Sequence, residues 1–360
     1  MPPKLSFRPL SSPLLDLSCV QLGCAPSGGL YNQVITVDDV CSLISNAFAS
    51  GITTLDTAPL YGTGRSEIDI GRAFTASDTA YGHEVSASSK LRVITKVGRL
   101  VKPREECTRD DPAVEWGDGA AYSTDRDTAD LICRADYTSA GVLQSYQESL
   151  TRLGRASVAV WGLRIHDAES DWKVAQLFGN GAVEALVVLR SEGKILEVSL
   201  GMNSPEYILR ILRHYPKGTF DSVLLAGSYN LIDNSGIPVL EICEELGIRV
   251  AIAGVFGAGL LWGTGNYRYR SADAEVLSRR DKLQALCKEF GVELPYLALH
   301  FATRPTVVTD VVIGCANSTE LQGNLKLFKE VAPEVLAKLP ALYARAVSEG
   351  LVSSAAIGMS

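Results

Sequence analysis

T-V-D-D-V-C-S-L-I-S-N-A-F-A-S-G-I-T-T-L-D, residues 36–56, holds one copy of the pattern that decides the fold. Thr36–Gly51 reads as an amphipathic helix. Val40, Leu43, Ile44, Ala47 and Phe48 fall at the three- and four-residue spacing of one face, and Gly51 supplies a stop. Thr53–Asp56 then forms a short run of apolar and β-branched residues. Runs this short, bounded by Gly, Pro or polar residues, suit strands buried on both faces. Outward from this unit the same kind of run recurs at Leu17–Leu22, Leu91–Lys96, Val158–Ile165, Glu197–Gly201, Ser222–Leu225, Arg249–Ala253 and Asp310–Ile313. That makes eight candidate parallel strands.

The segments between the runs carry helix signals. Thr138–Gly154 places Val142, Leu143, Tyr146, Leu150 and Leu153 on one side. Ser204-Pro205-Glu206 sets a capping hydroxyl before a proline at the first helical position. Residues 237–247 and 274–291 end at Gly247 and Gly291, and Ser318 is a candidate cap after the last strand. Strand then helix, eight times, gives a closed barrel or a doubly wound open sheet. The even spread of strands and the absence of G-x-G-x-x-G after the first favour an α/β fold of the (β/α)8 TIM-barrel type. One domain is expected over residues 1–360, with its core at about 17–327. Residues 97–137, a long and mostly polar segment with Trp116, Tyr122 and Tyr137, read as a loop after the third strand. Residues 332–360 read as an extra C-terminal helix with a frayed tail.

The 360 residues are 46% hydrophobic and 21% charged, enough for a substantial core. A net charge of -7 gives no electrostatic footprint for nucleic acid or an anionic membrane. Cys19, Cys24, Cys41, Cys107, Cys133, Cys243, Cys287 and Cys315 include no C-x-x-C pair and none at zinc-finger spacing. We read them as reduced and structural, and expect no metal site. Residues 1–15 lack an apolar signal core, and no run approaches 18 apolar residues, so the expected location is cytoplasmic. The sequence sets no oligomeric state.

A barrel of this kind carries its chemistry at the C-terminal ends of its strands. The second run ends at Asp56, in L-D-T-A-P-L-Y-G, with Tyr61 on the following loop; the third ends at Lys96, in V-I-T-K; the fourth leads to His166, in L-R-I-H-D. A tyrosine has an ordinary pKa of about 10, and a neighbouring ammonium favours its phenolate. At ~4 Å and an effective dielectric near 20 that attraction is about 4 kcal/mol, worth up to roughly three pKa units before desolvation subtracts from it. Asp56 would hold Lys96 charged, and a neutral His166 would orient a substrate oxygen. Singly, each residue has a structural reading: a turn cap, a solvated lysine, a satisfied histidine, a packed tyrosine. Their coincidence at three successive strand ends points to a site.

Asp, Tyr, Lys and His in these contexts resemble the tetrad of the aldo-keto reductase family. Y-G-T-G-R-S-E-I-D-I-G-R, residues 61–72, and E-S-L-T-R-L-G, residues 148–154, continue the likeness, which runs from about residue 17 to 327. The resemblance implies Asp56, Tyr61, Lys96 and His166 as catalytic residues and an extended nicotinamide dinucleotide across the barrel mouth. It places Asn203, in G-M-N-S, against the carboxamide, with Met202 where Ser is usual. Tyr229, in S-Y-N-L, belongs to the cofactor set, and Ala253 stands where a stacking aromatic is usual. G-V-F-G-A-G-L-L, residues 254–261, supplies Phe256, Gly257, Gly259 and Leu260 around the pyrophosphate. I-G-C-A-N-S-T-E-L-Q-G-N, residues 313–324, supplies Gly314, Asn317, Glu320 and Asn324 around the adenosine. Ala316 stands where members preferring the phosphorylated cofactor carry Arg or Lys, so NAD is expected over NADP.

Within the family the chain is most similar to the branch of L-galactose dehydrogenase, D-threo-aldose 1-dehydrogenase, L-fucose dehydrogenase and D-arabinose dehydrogenase. That likeness rests on T-L-D-T-A-P-L-Y-G-x-G-x-S-E, the insert after Lys96 and S-Y-N-L-I-D. It implies NAD-dependent oxidation of the anomeric hydroxyl of a free aldose to the lactone. Tyr61 and His166 would bind that hydroxyl, Tyr61 would take its proton, and Trp116 or Tyr122 would stack on the sugar. Three alternatives remain: an NADPH-dependent aldehyde or ketone reductase, a pyridoxal 4-dehydrogenase, and a non-catalytic cofactor-binding regulatory subunit.

Overall fold

The structure, a computed structural model, describes residues 5–29, 35–75, 91–116, 128, 130–154, 160–267, 270–328 and 331–359. Its strands are β1 (Val20–Gly23), β2 (Thr54–Asp56), β3 (Arg92–Val97), β4 (Arg99–Pro103), β5 (Leu131–Ala135), β6 (Val160–His166), β7 (Glu197–Met202), β8 (Ser222–Ala226), β9 (Arg249–Ala253), β10 (Asn266–Tyr267), β11 (Arg270–Ser271) and β12 (Val308–Gly314). Eight of them close a barrel in the order β1-β2-β3-β6-β7-β8-β9-β12, every neighbouring pair parallel. The expected (β/α)8 barrel is therefore present, each expected run contributing one strand. Leu17–Cys19 is instead a 3-10 turn, because the Asp16 side chain accepts from the Ser18 amide and starts a turn there.

The helices are α1 (Val37–Ala49), α2 (Arg65–Thr75), α3 (Ser139–Arg152), α4 (Asp171–Gly179), α5 (Ala182–Ser191), α6 (Pro205–His214), α7 (Ile237–Leu246), α8 (Ala274–Phe290), α9 (Leu294–Ala302), α10 (Ser318–Leu327) and α11 (Pro333–Ser348). Thr36 and Asp39 cap α1 reciprocally, each side chain taking the other's amide. Two expected caps differ. The Ser204 hydroxyl makes no capping bond at α6, and the Ser204 amide donates to the Glu169 carboxylate. At α10 the cap is Asn317, whose Oδ1 accepts from the Glu320 amide, and Ser318 is already helical.

Two larger expectations are corrected. The segment after β3 is not only loop. β4 and β5 form an antiparallel hairpin registered Arg99↔Ala135 to Pro103↔Leu131. The C-terminal tail is packed rather than frayed: Leu351, Val352, Ala356 and Ile357 are buried. The Tyr229 hydroxyl donates to the Ala356 carbonyl, and Arg279 and Arg304 donate to the carbonyls of Leu351 and Ile357.

The barrel lumen has two characters. On the β8, β9 and β12 side, Leu224, Ala251 and Val312 form a small apolar cluster of their own. The β1, β2, β3, β6 and β7 side carries Gln21, Asp56, Lys96, Arg164, Glu197 and Ser199, all buried. A polar lumen needs internal partners for every charge, and it opens onto the strand ends where the candidate site sits.

Candidate active site

Asp56, Lys96 and His166 stand at the C-terminal ends of β2, β3 and β6, and Tyr61 on the loop after β2 reaches them. The Lys96 ammonium is buried and donates to Asp56 Oδ1 at 2.5 Å, the Thr57 carbonyl at 3.0 Å and the Tyr61 hydroxyl at 2.8 Å. The rings of Tyr61 and His166 lie edge to face with centroids 5.9 Å apart. The structure thus brings all four expected residues together. Burial lowers the Lys96 pKa, and the adjacent Asp56 carboxylate opposes that fall. Burial, reinforced by Arg99, Lys96 and Lys173, holds the His166 pKa well below its ordinary value, so its imidazole is neutral near pH 7. Its Nε2 lies 3.3 Å from Asp167 Oδ2, and its buried Nδ1 has no partner among the described residues. Asp167 has left-handed backbone at φ 45°, and burial pushes its pKa up to about 6.

The local sequence explains why Tyr61 points inward. Gly28 and Gly62 pack backbone to backbone: a Cβ on Gly28 would lie 2.6 Å from the Tyr61 carbonyl carbon, and one on Gly62 2.5 Å from the Gly28 oxygen. The R-S-E segment that follows anchors the loop from below. Ser66 bonds Thr57 and the Cys24 carbonyl, while Glu67 accepts from Thr95 and pairs with Arg152. His166 is fixed through its own carbonyl, which accepts from the Tyr137 hydroxyl and from Arg99.

Sequence reasoning missed the layer beneath the tetrad. Arg164, fully buried, donates from Nε to Asp56 Oδ2 at 3.0 Å, and its remaining nitrogens reach Ser199, Ser222 and Gln21. Glu197 lies 3.7 Å from Arg164 and accepts from Arg249 at 2.7 Å. The signal was available. Arg164 is two residues before His166, so the period of a strand puts both on one face.

The residues expected to hold a cofactor divide. Asn203 is exposed at the end of β7, its Nδ2 donating to Asp167 Oδ1 at 3.1 Å. Gly257, Ala258 and Gly259 have consecutive left-handed backbone, and the amides of Ala258 and Gly259 bond no backbone or side-chain acceptor among the described residues. Phe256 is half-buried edge to face with Trp262, and Gly314 is exposed at the end of β12. Glu320 turns its carboxylate back to accept from the Ala316 amide at 2.8 Å. Two side chains are placed elsewhere, and two more are engaged. Tyr229 lies in the core, stacked on Phe301 with its hydroxyl spent on Ala356, and Leu260 is fully buried. Asn324 is buried with its amide toward Cys315 Sγ. Trp116 sits under the guanidiniums of Arg104 and Arg109, a contact that competes with sugar stacking. Tyr122 lies outside the described residues. Among the described residues no cluster of His, Cys, Asp or Glu could hold a metal ion.

A closed parallel barrel with a lysine-bonded tyrosine and a neutral histidine at its C-terminal mouth is the architecture of a carbonyl–alcohol oxidoreductase. The chain belongs to the Aldo/keto reductase family, whose model matches residues 20–344. It is 29% identical to a pyridoxal 4-dehydrogenase of Microbacterium luteolum, over 96% of this chain and 98% of that protein. Identity to a D-threo-aldose 1-dehydrogenase of a Pseudomonas species is 28%, over 86% and 89%. An L-galactose dehydrogenase of Arabidopsis thaliana is 26% identical, over 91% and 89%. Family membership makes the chain an oxidoreductase acting on small molecules with a nicotinamide cofactor.

Proposed function

We propose that the chain oxidises the anomeric hydroxyl of a free aldose to the lactone, with NAD as cofactor. One observation carries this reading: a single buried ammonium bonds both the Asp56 carboxylate and the Tyr61 hydroxyl. An ammonium at 2.8 Å stabilises a phenolate, so Tyr61 is the group equipped to take the substrate proton. The neutral His166 orients the same oxygen without competing for that proton. Asp56 and the Thr57 carbonyl hold Lys96 in place. Asn203, the amides of Ala258 and Gly259, and Glu320 would hold the cofactor, which supplies the hydride acceptor when bound. NAD is favoured over NADP because the segment after β12 presents the Glu320 carboxylate, while Lys326 lies a helix away in the last turn of α10. A 2′-phosphate beside that carboxylate would be repelled.

A second reading, oxidation of pyridoxal in its hemiacetal form, uses the same groups and is favoured by the nearly end-to-end match to a pyridoxal 4-dehydrogenase. Formation of reduced cofactor across a panel of aldoses, pyridoxal and simple alcohols, with NAD and NADP in parallel, decides between them. We expect an aldose to be turned over and kcat/KM to favour NAD. Tyr61→Phe should cost at least about 100-fold in kcat while sparing NAD binding. Turnover of pyridoxal alone would replace the aldose reading with the second, and no turnover of any alcohol would reject both. A kcat/KM favouring NADP would reject the cofactor preference.

A further inference from the structure

Below the tetrad, charges alternate down the lumen from Lys96 through Asp56, Arg164 and Glu197, and end at Arg249, whose side chain is exposed at the start of β9. The line holds three cations and two carboxylates. Asp56 is split, one oxygen on Lys96 and the other on Arg164. Glu197, the other carboxylate near Arg164, is itself held by Arg249 and the Ser222 hydroxyl. Arg164 reaches three neutral acceptors besides, Ser199, Ser222 and Gln21, so its donors are met without a carboxylate of its own. An arginine buried to zero exposure is costly, and neutral acceptors satisfy its hydrogen bonds without cancelling its charge.

We propose that Arg164 is a positioning residue that takes half of the Asp56 carboxylate, leaving the Lys96 ammonium under-neutralised and its positive field directed at the Tyr61 hydroxyl. This deepens the proposed function and rests on its assignment of Tyr61 as the proton acceptor. Remove Arg164, and Lys96 and Asp56 close into a one-to-one pair whose field at Tyr61 is weaker. Remove the Glu197 charge, and Arg164 acts on the tetrad unopposed. The two changes therefore move Tyr61 in opposite directions, which a purely structural role does not. The other titratable groups facing Lys96 and Tyr61 are the neutral His166 and Asp167 at the end of β6, and Arg99 on β4 with Glu115 and Lys173 paired behind it. Glu67 on α2 is paired with Arg152 outside the barrel wall. All of these stay in place in the variants below.

Tyr61 ionisation is readable without turnover, by NMR titration of the full chain carrying 13Cζ-tyrosine, with the Tyr61 signal assigned by its loss in Tyr61→Phe. In Arg164→Met the Tyr61 titration should move up by about one pH unit, a tenfold loss of phenolate at a given pH. In Glu197→Gln it should move down. Arg164→Lys, which keeps the charge, should stay closer to wild type than Arg164→Met does. A Tyr61 titration that superimposes on wild type in Arg164→Met, whatever the loss in melting temperature, would overturn the proposal. If Arg164→Met does not fold, Glu197→Gln and Arg164→Lys decide it, since an unmoved titration in Glu197→Gln overturns it as well. An inactive wild type whose Tyr61 nevertheless shifts as described would sink the aldose function and leave the role of Arg164 standing; active enzyme with an unmoved Tyr61 would do the reverse.

Discussion

Gly201 shows how little space the lumen leaves. It lies on β7 beside His166, its register partner on β6, and a Cβ there would sit 3.2 Å from Arg164 Cδ, 3.3 Å from Arg164 Cβ and 3.4 Å from Lys96 Cε. Contacts that tight force their neighbours to give, and both neighbours are pinned by hydrogen bonds to Asp56. Gly201→Ala should fold, at a cost of about 1–3 kcal/mol for overpacking. It should also lower kcat about tenfold with little change in KM, because a displaced ammonium is felt at Tyr61 rather than in the substrate groove. Steady-state kinetics with an unchanged kcat would show that the methyl is absorbed elsewhere. Asp56, Lys96 and His166 could be located from the sequence because each is a titratable residue where an apolar run ends, and Tyr61 because it stands on the loop that follows one. Arg164 lies inside one run, where apolar burial is the ordinary expectation, and Glu197 and Gly201 stand at the two ends of another. Only the two-residue alternation along β6 and β7 marks them as lumen-facing.

At the scale of elements, what the sequence conceals is structure whose partner lies far along the chain. The eight barrel strands announce themselves because parallel strands covered on both faces are short apolar runs. β4, R-L-V-K-P, pairs with a strand that begins only after residue 130, and neither half alternates cleanly enough to be seen alone. The tail after α11 is similar: S-S-A-A carries no periodicity, yet Ala356 and Ile357 are fully buried. Its anchors come from elsewhere, from Tyr229 after β8, Arg279 on α8 and Arg304 after α9. Deleting residues 350–360 would expose the cavity left by Leu351, Val352 and Ile357 and strip acceptors from two arginines and a tyrosine. At about 1.5–3 kcal/mol per large aliphatic side chain, the loss should exceed about 5 kcal/mol. We expect the melting temperature to fall by about 6 °C or more. A truncated chain melting with wild type would mean the tail is dispensable.

At the scale of the molecule, the two ends of the chain meet at His300 on α9. Its Nδ1 bonds the Tyr343 hydroxyl of α11, and its Nε2 bonds the Ser12 carbonyl of the N-terminal segment. Burial pulls its pKa from the ordinary 6.5 down to about 4. Between those two values the unfolded chain binds a proton that the folded chain refuses, so stability falls as pH drops through this window, by about 1.4 kcal/mol per pH unit. Over the whole interval His300 costs up to about 3 kcal/mol. His166, also held neutral by burial, adds to the fall. Asp167 works against it: with its pKa raised to about 6, it binds its proton earlier in the folded state, so its protonation stabilises the fold as pH drops through 6. The net curve therefore mixes signs, and one substitution isolates the histidine. His300→Gln keeps a side-chain donor and acceptor but cannot take a proton. Its urea midpoint should be lower than or equal to that of wild type at pH 7.5, and should decline less steeply between pH 6.5 and 4, so that the two curves converge or cross. Parallel curves across that interval would mean that His300 is not what ties acid stability to the meeting of the two chain ends.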